Sequence, residues 1–246
     1  MYKGIVDSNQ KIVTSGLIFH LDASQPRSYP GTGTSWYDIS GNGYVATLST
    51  ANYSPGVGVP AFSTNNGGRF YFNGYSGQYV DSNLTVANFN VNTGNFTIDV
   101  WSYIVDPGLG PQKILYYIGN TNVYSPNGAN ASTWYTQDTG FVFRNLTDNV
   151  NGNRITLSLT LNNFYNIVYV RSGSTFYAYV NGTSRGSTTY TNPGINSAAK
   201  FTLGASMNAY SDLFTGYIYS CKNYNRALSA TEVLQNYTVT KTRLGL

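Results

Sequence analysis

The chain has 246 residues, enough to bury a real core as one large β-sandwich or barrel without disulfide staples. Only 10% of them are charged, against roughly 25% in a typical globular chain, and Gly, Asn, Ser, Thr and Tyr fill the difference. The 14 basic residues, giving a net charge of +4, form no run and argue against a nucleic-acid footprint, while an apolar content of 41% argues against disorder.

The opening MYKGIVDSNQ has no apolar h-region, so no secretory signal is expected. No run approaches the about 18 consecutive apolar residues of a membrane span, so no membrane partner is expected. Residues 1–15 read as an N-terminal arm before a single domain over 16–246. GLIFHL (16–21) is the first strand run, and places His20 as a strand residue. SWYDISGNGY (35–44) follows as a turn-rich loop, in which Trp36 and Tyr37 are expected to pack down. Asp22, Asp38 and Asn42 are the candidate calcium ligands around it, since Ca²⁺ takes oxygens from carboxylates, amides and carbonyls. The competing reading is turn chemistry, with Asp38 and Ser40 capping main-chain N–H groups. No cofactor is required, and calcium is the one candidate.

Residues 50–68 read as a long irregular stretch before RFYFN (69–73). In NFTIDVWSYI (95–104), Phe96, Ile98, Val100 and Ile104 face one way; Thr97, Asp99, Trp101 and Tyr103 face the other. KILYYI (113–118) leads into a second irregular stretch, 119–139, rich in Gly, Pro and Asn. Exposed aromatics there would stack on sugar faces. Trp134 and Tyr135 are the leading ligand-binding candidates, with Tyr124 and, farther on, Tyr210 behind them; packing within the loops is the competing reading.

GFVFR (140–144), RITLSLTL (154–161) and FYNIVYVR (164–171) continue the strand pattern. TFYAYV (175–180) runs into Asn181-Gly182, a strong hairpin signal. KFTLG (200–204) and FTGYIYSCKNY (214–224) complete eleven or more strands, which predicts an all-β sandwich or barrel. The lone Cys221 excludes an internal disulfide and reads as a half-buried, inert thiol. In ALSATEVLQNY, Ser229 and Glu232 form a capping box, with Leu228 and Val233 at the staple positions, so one short helix is expected near the C-terminus.

Catalytic chemistry is sparse. One histidine rules out a multi-His metal site, and as that histidine, His20, reads as a packed or surface strand residue, no His-based triad is expected. Glycoside hydrolysis generally needs two carboxylates, and no two acids here share a strand face at close spacing. The only Glu is the capping residue. No phosphate-binding Gly loop follows a strand and opens a helix. The chain is therefore expected not to be an enzyme.

GLIFHLDASQPRSYPGTGTSWYDISGNGY (16–44), GGRFYFNG (67–74), QYV (78–80), NFTIDVWSYI, FYAYVNGTSRG (176–186) and YNRALSATEVLQNY (224–237) occur in an order that resembles the laminin-G-like, concanavalin A-like lectin/glucanase domains. The resemblance covers residues 16–246. It implies a two-sheet antiparallel jelly-roll β-sandwich, one face concave, with its first and last strands close together. The opening stretch, the closing helix and the basic tail Thr240–Leu246 are similar to structural proteins of tailed bacteriophages. One departure stands out: many similar sequences read Gly-x-Ile-Asp-Glu where this chain has Gly216-Tyr217-Ile218-Tyr219-Ser220, so no role of those acids carries over.

The resemblance implies a non-enzymatic virion surface protein, either capsid decoration or fibre-associated, that binds glycans weakly. Assembly in a bacterial host cytoplasm is the implied localisation. Other virion proteins of capsid or tail, glycans and further copies of the chain are the implied partners. A carbohydrate-binding module or adhesin outside a virion is the alternative, with a glycosidase or polysaccharide lyase behind it.

Overall fold

Alternating apolar and polar positions build two sheets whose inward faces share one core. The computed structural model describes residues 11–50, 58–74, 77–89, 94–105, 113–119, 131–136, 140–145, 154–157, 159–189, 199–205 and 213–246. In chain order the elements are β1 (Leu17–Asp22), β2 (Ser35–Tyr37), β3 (Val45–Thr50), β4 (Ala61–Ser63), β5 (Arg69–Asn73), β6 (Gln78–Thr85) and a single helical turn, α1 (Val86–Phe89). Then come β7 (Phe96–Ile104), β8 (Lys113–Gly119), β9 (Ala131–Thr136), β10 (Gly140–Asn145), β11 (Arg154–Leu157) and β12 (Asn163–Ser172). The chain ends with β13 (Thr175–Val180), β14 (Thr183–Thr189), β15 (Lys200–Leu203), β16 (Thr215–Tyr224) and α2 (Ala230–Arg243).

One sheet runs β14-β13-β12-β7-β16-β5-β4, with β1 also on β16; the other runs β11-β10-β9-β8-β15-β6-β3-β2. All pairings between these strands are antiparallel. The fold is thus the expected all-β sandwich, and its first and last strands pair. β16 is long enough to serve two neighbours on one side: residues 220–224 pair with β1 and residues 215–218 with β5.

The alternation read in 95–104 holds. Phe96, Ile98, Val100 and Ile104 enter the main core with Phe19, Leu21, Phe70, Ile167, Tyr169 and Phe201. Trp101 and Tyr103 join a separate cluster on the outer face. The predicted hairpin forms: Asn181 and Gly182 both take positive φ, 53° and 74°, as a two-residue type I′ turn needs. This turn packs on α2, because a Cβ at Gly182 would meet Leu234 Cδ1 at 2.9 Å and Tyr237 at 3.1 Å.

Several elements differ from the sequence reading. The stretch 50–68 contains β4 and a 3₁₀ turn at 65–67, and β3 precedes it unannounced because its Val45 and Thr47 are exposed while only Ala46 and Leu48 fill the core. The stretch 119–139 is not irregular throughout, since β9 occupies 131–136 and pairs with β8 and β10. Its Ser-Thr-Trp-Tyr-Thr composition suits a pleated face, and the flanking Asn and Gly disguise it. β11 stops at Leu157 rather than 161. Cys221 is fully buried in the core instead of half-buried.

α2 starts as expected. The Ser229 side chain accepts from the Glu232 N–H, and the Glu232 carboxylate accepts from the Ser229 N–H. Leu228 and Val233 are both buried in one cluster, completing the staple. Glu232 also holds the Arg226 guanidinium through two contacts, 2.9 and 2.6 Å. Ser229→Ala is expected to lower unfolding free energy by about 1 kcal/mol in denaturant titration. An unchanged midpoint would show that the box does not support the helix.

Candidate functional site

The loop SWYDISGNGY is a corner held by its own side chains. Asp38 Oδ1 accepts from the Ser40 and His20 N–H groups, both at 2.8 Å, and Oδ2 accepts from Ser40 Oγ. Asn42 Nδ2 donates to Ser40 Oγ and to the Ile18 carbonyl at 3.1 Å. Trp36 is buried against Phe70, ring centroids 4.5 Å apart. Tyr37 is 42% exposed, so of the two aromatics only Trp36 packs the corner down. Asp22 takes different partners. Its Oδ1 accepts from the Ser24 N–H and Oγ, and its Oδ2 lies 2.5 Å from Arg243 Nη2. The structure therefore joins Asp38 with Asn42 through Ser40 and commits Asp22 to a cation. The carboxylate oxygens of Asp38 and Asp22, which a calcium ion would need, are thus taken by N–H, hydroxyl and guanidinium groups. Among the described residues, no three His, Cys, Asp or Glu side chains gather as a metal group.

Of the aromatic candidates, Tyr124 and Tyr210 lie outside the described residues. Trp134 and Tyr135 occupy consecutive positions of β9, paired with Val142 and Phe141 of β10, rather than a loop.

The outer face of the first sheet carries the densest polar chemistry among the described residues. α2 lies across β7, β12 and β16 there, and Val233 packs with Val168, Val170 and Tyr224. Beneath it Asp99 is fully buried, accepting from Asn166 Nδ2 at 2.6 Å and facing Lys222 Nζ at 3.6 Å. Asn236 of α2 donates to Tyr224 Oη at 2.9 Å and accepts from the Val13 N–H at 2.9 Å. Tyr224 Oη donates on to the Val13 carbonyl, so residues 11–15 are strapped under the helix. Gln235 adds a bond to the Lys11 carbonyl.

His20 projects onto the same face, opposite Lys222 in the register, with Nε2 3.7 Å from Asp22 Oδ2. Burial, reinforced by Lys222 and Arg243, pushes its pKa down against the pull of Asp22, so it is held neutral. Burial would raise the Asp22 carboxyl, but His20, Arg243 and Ser24 together hold it below the usual range. Glu232 is lowered to about 2, chiefly by Arg226. The Cys221 thiol is pushed up by burial and is unreactive.

Beside this latch lies a ledge of half-buried rings from four strands. Tyr71 of β5 meets Tyr217 of β16 at 5.1 Å, and Tyr217 meets Tyr103 of β7 at 6.0 Å. Tyr103 in turn meets Phe164 of β12 edge-on at 4.8 Å. Leu244, Leu246 and Tyr237 of the C-terminal segment close one side, and Tyr237 stacks on Trp101 at 5.5 Å. Arg69 lies over Tyr217, with Cζ 3.8 Å from the ring centroid, and its Nη1 donates to Tyr219 Oη at 3.1 Å. Tyr219 stands where many similar sequences carry an acid. Sequence reasoning missed the ledge, because its residues alternate with core residues in segments up to 148 positions apart and none forms a local motif. Half-exposed rings with a cation offer stacking and hydrogen bonding, the physics of saccharide capture.

The sequence matches the family model of the concanavalin A-like lectin/glucanases superfamily over residues 76–234. No curated protein sequence matches the chain. Among solved structures, it is similar to domain 4 of an extracellular GH43 arabinanase from Geobacillus stearothermophilus, in complex with arabinotriose. The TM-score is 0.66 at 16% identity, covering 91% of this chain and 98% of that one. A Trypanosoma rangeli sialidase in complex with sialic acid gives 0.62 at 17% identity, over 93% of this chain and 33% of that one. The botulinum neurotoxin serotype D/C binding domain gives 0.62 at 14% identity, over 91% and 52%. At these identities the likeness is one of fold. This chain spans about a third of the sialidase.

Asp99→Ala, which strands Lys222 without a counter-charge, is expected to cost about 3–5 kcal/mol in denaturant unfolding. Pairing it as Asp99→Leu with Lys222→Met should recover most of that loss. Acid is expected to destabilise the fold in two steps. Because His20 is held below its unfolded value of about 6.5, the unfolded chain takes up that proton first and stability falls as pH drops below about 6.5. Asp22 and Glu232, held below the ordinary carboxylate range, stabilise the fold above about pH 4 and lose that contribution below it. Melting temperature against pH should show both limbs, and His20→Gln should flatten the upper one and, because His20 helps hold Asp22 down, shrink part of the lower one.

Proposed function

Starting from a chain that belongs to the concanavalin A-like lectin/glucanases superfamily, we propose that it is a non-catalytic glycan-recognition protein of a tailed-bacteriophage virion surface, either capsid decoration or fibre-associated. The observation that carries the recognition half is the ledge of Tyr71, Tyr103, Phe164 and Tyr217 with Arg69 on it. Single-site affinity at so shallow a surface is weak, and many copies on one particle raise it by avidity. Arabinotriose bound to the domain 4 relative agrees with a saccharide ligand for this fold.

The non-catalytic half rests on how the acids are used. All five described carboxylates have protein partners: Asp22 with Arg243, Asp38 in its turn, Asp81 with Lys200 at 2.7 Å, Asp99 under α2, and Glu232 with Arg226. None is left to act as a general acid or nucleophile. No cofactor is needed for stacking and hydrogen bonding. The virion half rests on the opening and closing motifs, whose similarity to phage structural proteins implies capsid or tail neighbours. Among the described residues, no helix is long and apolar enough to cross a membrane.

The alternative is a carbohydrate-binding module or adhesin outside any virion. It is favoured by the match to nearly the whole of an arabinanase domain. Mass spectrometry of purified phage particles separates the two, and absence from particles would leave the adhesin. On a glycan array the protein is expected to bind, and Tyr71→Ala with Tyr103→Ala should abolish binding without changing the melting temperature by more than a few degrees. Binding that survives both substitutions would remove the ledge as the site.

A further inference from the structure

Arg69 differs from the other buried or half-buried cations of its face. Arg243 meets Asp22, Lys222 meets Asp99 and Arg226 meets Glu232. Arg69 has no carboxylate within ion-pair distance among the described residues, and the described acids are engaged elsewhere. Its plane is fixed from two sides, by Tyr217 beneath the guanidinium and by Tyr219 Oη on Nη1. Its Nε is buried without an acceptor and out of a ligand's reach, Nη1 is taken by Tyr219, and Nη2 has no acceptor among the described residues. Nη2 is therefore the nitrogen left open to a charge-assisted hydrogen bond to a carboxylate oxygen. It is held ready and left unused. Lys241, with Nζ 5.7 Å from the Tyr237 ring centroid on the neighbouring rim, adds to the positive field.

We propose that the saccharide taken by the ledge bears a carboxylate, a uronic or sialic acid type of sugar, and that Arg69 receives it while the neighbouring tyrosine rings hold the sugar body. The proposal rests on the reading of the ledge as a glycan site. A neutral sugar would gain the ring contacts alone. An acidic one would also pair with the open Nη2 and the guanidinium charge, and its binding would weaken as salt screens the charge.

The test is calorimetric titration of the unaltered protein with oligosaccharides of galacturonic, glucuronic and sialic acid, each beside its neutral methyl ester. An acid is expected to bind roughly 10- to 100-fold more tightly than its ester. Arg69→Gln should bring the acid down to the level of the ester, and Arg69→Lys should fall between them. Tyr217→Ala should weaken acid and ester together. Equal binding of acid and ester, or acid binding that ignores Arg69→Gln in a folded variant, overturns the proposal and leaves the glycan reading standing. A ledge-dependent array signal from neutral glycans alone does the same. No binding of any acidic or neutral glycan overturns both. If the Arg69 variants fail to fold, the acid-to-ester ratio of the unaltered protein decides.

Discussion

Asp99 lies buried between the outer face of a β-sheet and a C-terminal helix, and the closure of the fold depends on keeping it satisfied. A carboxylate without water costs several kcal/mol unless charge and hydrogen bonds replace the solvent. Lys222 supplies the charge from the next strand, and Asn166 and Asn236 direct amide groups at it from a strand and from the helix. Asn236 also ties Val13 and Tyr224, so strand, helix and the approach to β1 meet at one side chain. This arrangement contributes little net stability against a well-packed apolar equivalent. What it fixes is position, because an offset helix would strand the charge.

Arg243 and Asp22 repeat the device at the far end of α2. The capping box fixes the start of the helix, Asn236 its middle and Arg243 its last turn. The ledge depends on that placement. Tyr237 stacks on Trp101, and Leu244, the residue after the last of α2, packs into the aromatic cluster. A surface carried by four strands and bounded by a pinned helix loses little freedom on binding, which favours capture by a shallow site.

What was legible in the sequence was local. The alternation of 95–104, the Asn181-Gly182 turn and the Ser229–Glu232 box each sit in a few adjacent residues, and each formed as read. The corner at Asp38 was legible for the same reason. β9 was hidden because Asn and Gly on both sides of it carry a loop composition, and Tyr37 misled because an aromatic in a three-residue strand can face either way. The ledge was not legible at all. The alternation gives Tyr71, Tyr103, Phe164 and Tyr217 the outward positions, yet only strand order places β5, β16, β7 and β12 side by side. The phage-like motifs came from resemblance, and lie in the corner and the helix rather than the ledge.

The departure at Gly216–Ser220 acquires a physical meaning from this placement. A sequence with an acid at position 219 would set a carboxylate where Tyr219 now accepts from Arg69. The tyrosine hydroxyl keeps one guanidinium nitrogen in place without neutralising the charge. In a chain with so few charged residues, an arginine held in plane over one tyrosine and hydrogen-bonded to another is a committed feature. Its position among half-buried rings gives the surface a sign as well as a shape. Shape alone suits many sugars. On the proposed glycan reading a fixed positive charge would discriminate among them, because a ligand lacking an acid leaves it unpaired while one bearing an acid does not.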